Sequence, residues 1–199
     1  MDHYAPKSGV ARTILQHGRE ADRLGNVEDR VVDRAPSGSP AWRGYAWRAY
    51  DWDNYVLCCN RCNTGWKRTL FPAVSSGVIV HGEAVQGRDE RPLLLNPYDH
   101  HPAAHLDFRP DGFVYPKTDE GRATVDVLGL NGRETLVRRR MAKAREARSL
   151  LRDQAVDLVR LVEIGADDQP HAAVVRCVAE EMTGCSWDEI VRAAAAPTP

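Results

Sequence analysis

No apolar run in the chain approaches the roughly 20 residues that a membrane-spanning helix needs. The opening residues, MDHYAPKSG, have no basic-then-apolar order of a secretory signal. Neither a membrane span nor a secretory signal is expected. Cysteine is scarce and odd in number: five residues without framework spacing, which argues against disulfide stapling and for a reducing cytoplasm. A charge excess of either sign is also missing. Twenty-seven Lys and Arg face 28 Asp and Glu, for a formal net charge of -1. A uniformly basic coat is excluded, and local patches remain the only route to an anionic partner. What is present, 28% charged and 43% hydrophobic residues in 199, is ordinary for a globular protein with one substantial core or a small domain with a helical appendage.

The chain reads in three parts. Residues 1–72 hold most of the unusual chemistry. Within them, 10–24 (VARTILQHGREADRL) has the pattern of a short helix, and 25–44, rich in Gly, Pro, Ser and charge, reads as a mobile connection. The aromatic and β-branched run YAWRAYDWDNYVLCC is consistent with a strand entering a turn. Residues 73–132 form a β-rich extension: SGVIVHGE, RPLLLNPYD, LDFRPDGFVYP and RATVDVLGLNG are short runs separated by turn residues. From Arg133 to the end the pattern is helical. Val137, Met141, Ala144, Leu151, Ala155, Leu158 and Val162 fall on one stripe, interrupted by Arg148. Two shorter helices are expected over 170–182 and 186–196, the second opened by Ser186 with Glu189 completing a capping box. The fold class is α+β.

The stretch CCNRCNTGWK (58–67) is the most specific local signal. Cys59 and Cys62 have the Cys-x-x-Cys spacing that usually supplies two of the four ligands of a structural zinc, so the pair reads as half of a metal site, a redox pair or packing. A redox dithiol is the lesser reading, since no βαβ pattern surrounds the pair. Set in order, DHYAPK (2–7), WDNYVLCCNRCN (52–63) and Lys67 resemble the HNH endonuclease family, whose motif sits in a ββα-metal fold, the His-Me finger. The resemblance implies the following roles. His3 is the general base, imidazole being the side chain suited to moving a proton at cellular pH. Asn54 orients and supports that histidine. Asp2 and Asn63 are metal ligands, and an amide oxygen at 63 suits Mg²⁺ or Mn²⁺. Lys67, four residues beyond Asn63, with Lys7 and Arg68, is placed to contact phosphates. This is an H-N-N form of the motif. The expected activity is metal-dependent hydrolysis of nucleic acid, DNA ahead of RNA.

The segment from LLLNPYDHHPAAHLDF to GRATVDVLGLN, followed by a basic helix, is similar to a bacterial HNH subgroup. That subgroup is often encoded beside an ATPase in phage-defence operons, the retron and Septu types among them, which implies an ATPase or other defence subunit as partner. Relatives with this Cys-x-x-Cys usually carry a second pair upstream of the first histidine, whereas here the sequence opens Met1-Asp2-His3. Three readings follow: a natural start further upstream, loss of the zinc with Cys59 and Cys62 left as packing residues, or completion of the site by His17 or by His100, His101 and His105.

Blander readings stand beside these. A histidine near a terminus is most often a solvated surface residue, and an asparagine such as Asn63 most often caps a turn. The loop NPYDHHPAAH ordinarily caps strands. The Arg-rich face of 133–152 is a solvated helix surface unless it faces the active site, where it would track phosphates. Trp42, Trp47, Trp52 and Trp66 are expected in core and hairpin packing rather than as base-stacking platforms. The rival to the nuclease is a nucleic-acid-binding or scaffold subunit with a degenerate HNH fold. A third possibility recruits the scaffold to other hydrolytic chemistry at the His-rich loop.

Overall fold

The computed structural model describes residues 1–7, 12–13, 32–33, 45–75, 78–80, 91–152 and 156–196. Its elements are mixed helix and antiparallel strand. β1 (Asp2–His3) pairs with β4 (Tyr55–Val56), with Asp2 opposite Val56 and His3 opposite Tyr55. β2 (Arg12–Thr13) and β3 (Val32–Asp33) form a second ribbon. Of the helix expected over 10–24, Arg12–Thr13 is the described part, and it is a strand; the rest, and His17 and Trp42, lie outside the described residues. β5 (Ala73–Ser75) is the central strand between β6 (Val78–Val80) and β7 (Arg91–Pro92). Pro92, which has no N–H to give a ladder, sits on an edge strand, where this costs least. After α1 (Pro102–His105) come β8 (Leu106–Phe108) and β9 (Val114–Pro116), paired across a tight turn.

Two expectations of extended chain are corrected. The run YAWRAYDWDN folds as two 3₁₀ turns, Ala46–Arg48 and Trp52–Asn54, and becomes strand only at Tyr55. RATVDVLGLNG lies mostly in a helix, α2 (Asp119–Leu128). Its β-branched residues suggested a strand, but its ends are those of a helix. The Thr118 hydroxyl accepts the Gly121 N–H at 3.1 Å, Asp119 and Glu120 occupy the first turn, and Gly129 closes the C-terminus at φ 57°. Packing and caps outweigh the small propensity penalty of Val and Thr.

The remaining helices are α3 (Glu134–Arg152), α4 (Leu158–Ile164), α5 (Ala172–Thr183) and α6 (Trp187–Ala194). The expected apolar stripe is therefore shared between α3 and α4, and the capping box of Ser186 and Glu189 is formed.

The chain divides into two compact units. The first comprises 1–106 and 116–132, and the second 107–115 and 133–199. In the first, Tyr4, Ala5, Tyr45, Leu70, Phe71, Leu94 and Val127 make one core, with Tyr4 and Tyr45 each set edge-on to Phe71 at 5.1 and 5.2 Å. In the second, small residues on α3, Ala144 and Ala147, join a core built from Leu161, Ile164, Val174, Val175, Val178, Ala179 and Ile190. The turn before β9 is fastened there by Arg140, which donates to the Gly112 carbonyl at 2.6 Å from a buried position. So the basic face of 133–152 is not wholly a surface. Among the described residues, no helix is long and apolar enough to cross a membrane.

Candidate active site

The site is built on the β1–β4 ribbon and the segment that leads into it. Asn54 ends the second 3₁₀ turn and is completely buried, at 0% exposure. A buried amide must satisfy both its ends, and this one does so on backbone. Its Oδ1 accepts the Ala5 N–H at 2.7 Å, and its Nδ2 donates to the carbonyls of Ala5 at 3.2 Å and Arg48 at 3.0 Å. Further backbone bonds run from Tyr4 N to Asn54 O and from Tyr45 N to Pro6 O, each 2.7 Å. Residues 45–54 are thereby locked around the β1 strand.

This lock places the Ala49 carbonyl 3.1 Å from His3 Nε2. A carbonyl can only accept, so Nε2 carries the hydrogen and, in the neutral ring, Nδ1 is the bare nitrogen. Nδ1 lies on the side of Asp2, 3.8 Å from its Oδ1. The same Ala49 oxygen accepts the Tyr55 hydroxyl at 2.6 Å, and the Tyr55 ring lies 4.7 Å from the imidazole. Asn54 thus supports His3 indirectly, through Arg48 and the carbonyl that follows it, rather than by touching the ring.

Asp2 curls back to accept the backbone N–H of His3 at 2.7 Å, which keeps its carboxylate beside the imidazole although alternate strand residues face opposite ways. Asn63 stands half-buried in a helical segment, Arg61–Lys67, wound with wider π-type turns. Its carbonyl accepts Arg68 N at 2.5 Å. Lys67, one turn on, is buried at 4% exposure and donates Nζ to the His3 carbonyl at 3.2 Å. It is an internal tie from this segment to β1, where the sequence suggested a phosphate contact. Burial lowers its pKa, and the nearby Asp2 and Cys58 oppose that shift. Lys7 and Arg68 are both exposed.

The cysteines cluster at the start of the same segment. The Cys62 N–H points to Cys59 Sγ at 3.4 Å, and the Cys58 thiol interacts with Cys62. Burial chiefly, helped by Cys59, pushes the Cys58 thiol up. Among the described residues, no group of three or more His, Cys, Asp or Glu is arranged around a common metal position. Two thiols alone do not fit the four-ligand geometry of a structural zinc. His100 and His105 are engaged in the fold. His100 Nδ1 lies 3.1 Å from Asn96 N, and His105 Nδ1 lies 2.8 Å from the Thr118 hydroxyl.

Sequence reading missed Tyr55, Cys58 and the Ala49 carbonyl. Tyr55 had a weak signal as a polar-tipped aromatic directly after Asn54. A backbone carbonyl leaves none.

Comparison with known proteins gives partial matches. The chain is 34% identical over 79 residues to the Septu protein PtuA of Bacillus mycoides (strain KBAB4), covering 40% of this chain and 11% of that protein. It is 32% identical over 103 residues to the Septu protein PtuB of the same strain, covering 50% of this chain and 35% of that protein. The chain therefore spans about a tenth and about a third of the two relatives. No family model matches, and no solved structure matches.

Proposed function

We propose that this chain is a metal-dependent endonuclease of the HNH type, cutting phosphodiester bonds in nucleic acid, DNA ahead of RNA, as part of an antiviral defence system. One observation carries the reading: the Ala49 carbonyl holds His3 by Nε2 and leaves Nδ1 as a proton acceptor beside the Asp2 carboxylate. Similarity to two Septu proteins supports the defence setting, and a partner ATPase or other subunit of such a system goes with it.

In this mechanism His3 Nδ1 takes the proton of the attacking water. The developing imidazolium keeps its Nε2–H on Ala49 O, a bond that strengthens as the ring gains charge. Tyr55, sharing the acceptor, and Asn54, fixing the loop, hold the ring without reorganisation during the reaction. Asp2 and Asn63 offer hard oxygen donors and would hold Mg²⁺ or Mn²⁺, which supplies neutralisation of charge on the phosphate and its leaving oxygen. Lys67 ties the segment carrying Asn63 to β1 through the His3 carbonyl, and the exposed Lys7 and Arg68 are available for phosphate contact. A zinc on Cys59 and Cys62 would require two further ligands, and no step depends on it.

His3→Ala is expected to lower cleavage of plasmid and oligonucleotide substrates by at least about a hundredfold, in line with loss of a general base. Cleavage by the unaltered chain is expected to need added Mg²⁺ or Mn²⁺. Undiminished cutting by His3→Ala, or in excess chelator, would falsify the reading. The second reading, a binding subunit with an inactive fold, is favoured by the lack of a three-ligand His/Cys/Asp/Glu cluster among the described residues. Salt-dependent binding with no metal-dependent cutting would select it.

A further inference from the structure

The rings around the imidazole extend that reading to the form of the substrate. Trp and Tyr ordinarily bury most of their large apolar surface. In the segment that wraps His3 they do the opposite: Trp47 is 56% exposed, Tyr50 92% and Trp52 80%. Trp47 and Trp52 thus depart from the expectation of core packing, which Trp66, buried, fulfils.

One of these rings is joined to the site by ring contacts, and the other two precede it closely in the same segment. Trp52 lies 6.0 Å from the Tyr55 ring, and Tyr55 lies 4.7 Å from His3, so the catalytic imidazole begins a ladder that ends in an exposed indole. Tyr50 directly follows Ala49, whose carbonyl holds both His3 and Tyr55. Trp47 leans on the buried Tyr45 at 5.4 Å. The backbone beneath is fixed by Asn54 on Arg48 O and by the 3₁₀ bonds of both turns. Exposed rings on a rigid loop are preorganised to receive a flat partner.

The chemistry of the site names that partner. A strand whose phosphate lies at His3 brings its neighbouring nucleotides to the rim of the same site. A duplex keeps its base faces inside the stack, whereas an unpaired strand offers them to aromatic side chains. Arg48, between Trp47 and Tyr50, is half-exposed, and its contact with Asp51 at 3.5 Å is an open surface pair of the kind that a phosphate displaces at little cost. We propose that Trp52 and Tyr50, flanked by Trp47 and Arg48, form a stacking platform for unpaired bases. The substrate is single-stranded or locally unpaired nucleic acid. This rests on the nuclease reading for the position of the phosphate, but it is tested by binding alone.

The probe is a fluorescein-labelled oligonucleotide of about 20 nucleotides, longer than the roughly 4–16 that such grooves cover. It is used as a single strand in deoxy and ribo forms and as a DNA duplex of the same sequence. Anisotropy is measured in chelator, so that nothing is cut. The single strand is expected to bind more tightly than the duplex. Trp52→Ala and Tyr50→Ala should each weaken it about 5- to 150-fold, leave the duplex nearly unchanged, and leave the thermal midpoint by circular dichroism where it was. Trp52→Phe should keep most of the affinity. A sugar preference then tells DNA from RNA, with the ring effect present on the form bound.

Tighter binding of the duplex, equal losses on both forms, no loss at all, or no binding by the unaltered chain overturns the platform. If affinity is untouched while the same substitutions release a bound protein partner, the rings are a protein surface and the proposal fails. Metal-dependent cutting that persists with single-strand binding indifferent to Trp52 sinks the platform alone. Trp52-dependent binding with no cutting under any divalent metal sinks the nuclease and leaves the platform standing.

Discussion

Single residues here take their roles from neighbours rather than from type. Lys67 shows it best: its spacing from Asn63 suggested a surface cation, but burial turns it into a tie on the His3 carbonyl. His171 is another case. It precedes α5 in a left-handed conformation at φ 62°, half-buried, with Arg140, Arg139 and Lys143 adding to the burial that lowers its pKa from 6.5. Above that value the ring is neutral whether the chain is folded or unfolded, and no cost arises. As pH falls through 6.5 the unfolded chain takes up a proton that the folded one resists, so stability of the second unit is lost progressively below it. His171→Asn, which tolerates the left-handed region and does not titrate, is expected to flatten this loss. Urea midpoints of both forms at pH 7.5 and 5.5 measure it; equal drops in the two would rule it out.

At the scale of elements, the site depends on a helix whose sequence reads as strand. α2 ends at Gly129, and a Cβ there would run into the Trp66 indole, the residue beside Lys67. Gly129 thus does two things: it permits φ 57° and it lets the segment carrying Asn63 and Lys67 seat against α2. Gly129→Ala is expected to destabilise the first unit by about 2 kcal/mol or more, combining backbone strain with overpacking. On the proposed nuclease reading it also lowers cleavage, because the displaced indole drags on Lys67. A midpoint within error of the parent in thermal or urea unfolding would contradict this. Thr118 and Gly129 are cap-forming residue types at helical spacing, a signal carried by the residue order itself. The β-branched run between them favours strand, and the cap signals are the better guide.

For the whole molecule, the division into units does not follow the chain. Residues 107–115 belong with 133–199, although a stretch of the first unit separates them in sequence. Arg140 explains part of the pairing. Burial, with Arg133, brings its guanidinium down to about 10, and its Nη1 is spent on the Gly112 carbonyl. Gly112 itself, at φ 80°, has no room for a side chain against the Val137 backbone. Arg140→Met keeps most of the buried stem but leaves that carbonyl without the charged donor. The expected cost is about 1–3 kcal/mol, read as a lower urea midpoint with the far-UV spectrum retained. An unchanged midpoint would show that other contacts hold the hairpin.

Part of the protein was legible from the order of its residues alone: an α+β chain and a helical C-terminal part with its capping box at Ser186 and Glu189. The elements and the cap follow from periodicity and local chemistry, which are written in neighbouring residues, whereas Asp2, His3, Asn54 and Asn63 were singled out by resemblance to the HNH motif. Only the tertiary structure decided that Asn54 reaches His3 through a carbonyl, that Lys67 is internal, and that Trp47 and Trp52 face solvent. Each of those turns on which surfaces are removed from water by residues tens of positions away, and burial at that range is a property of the folded chain.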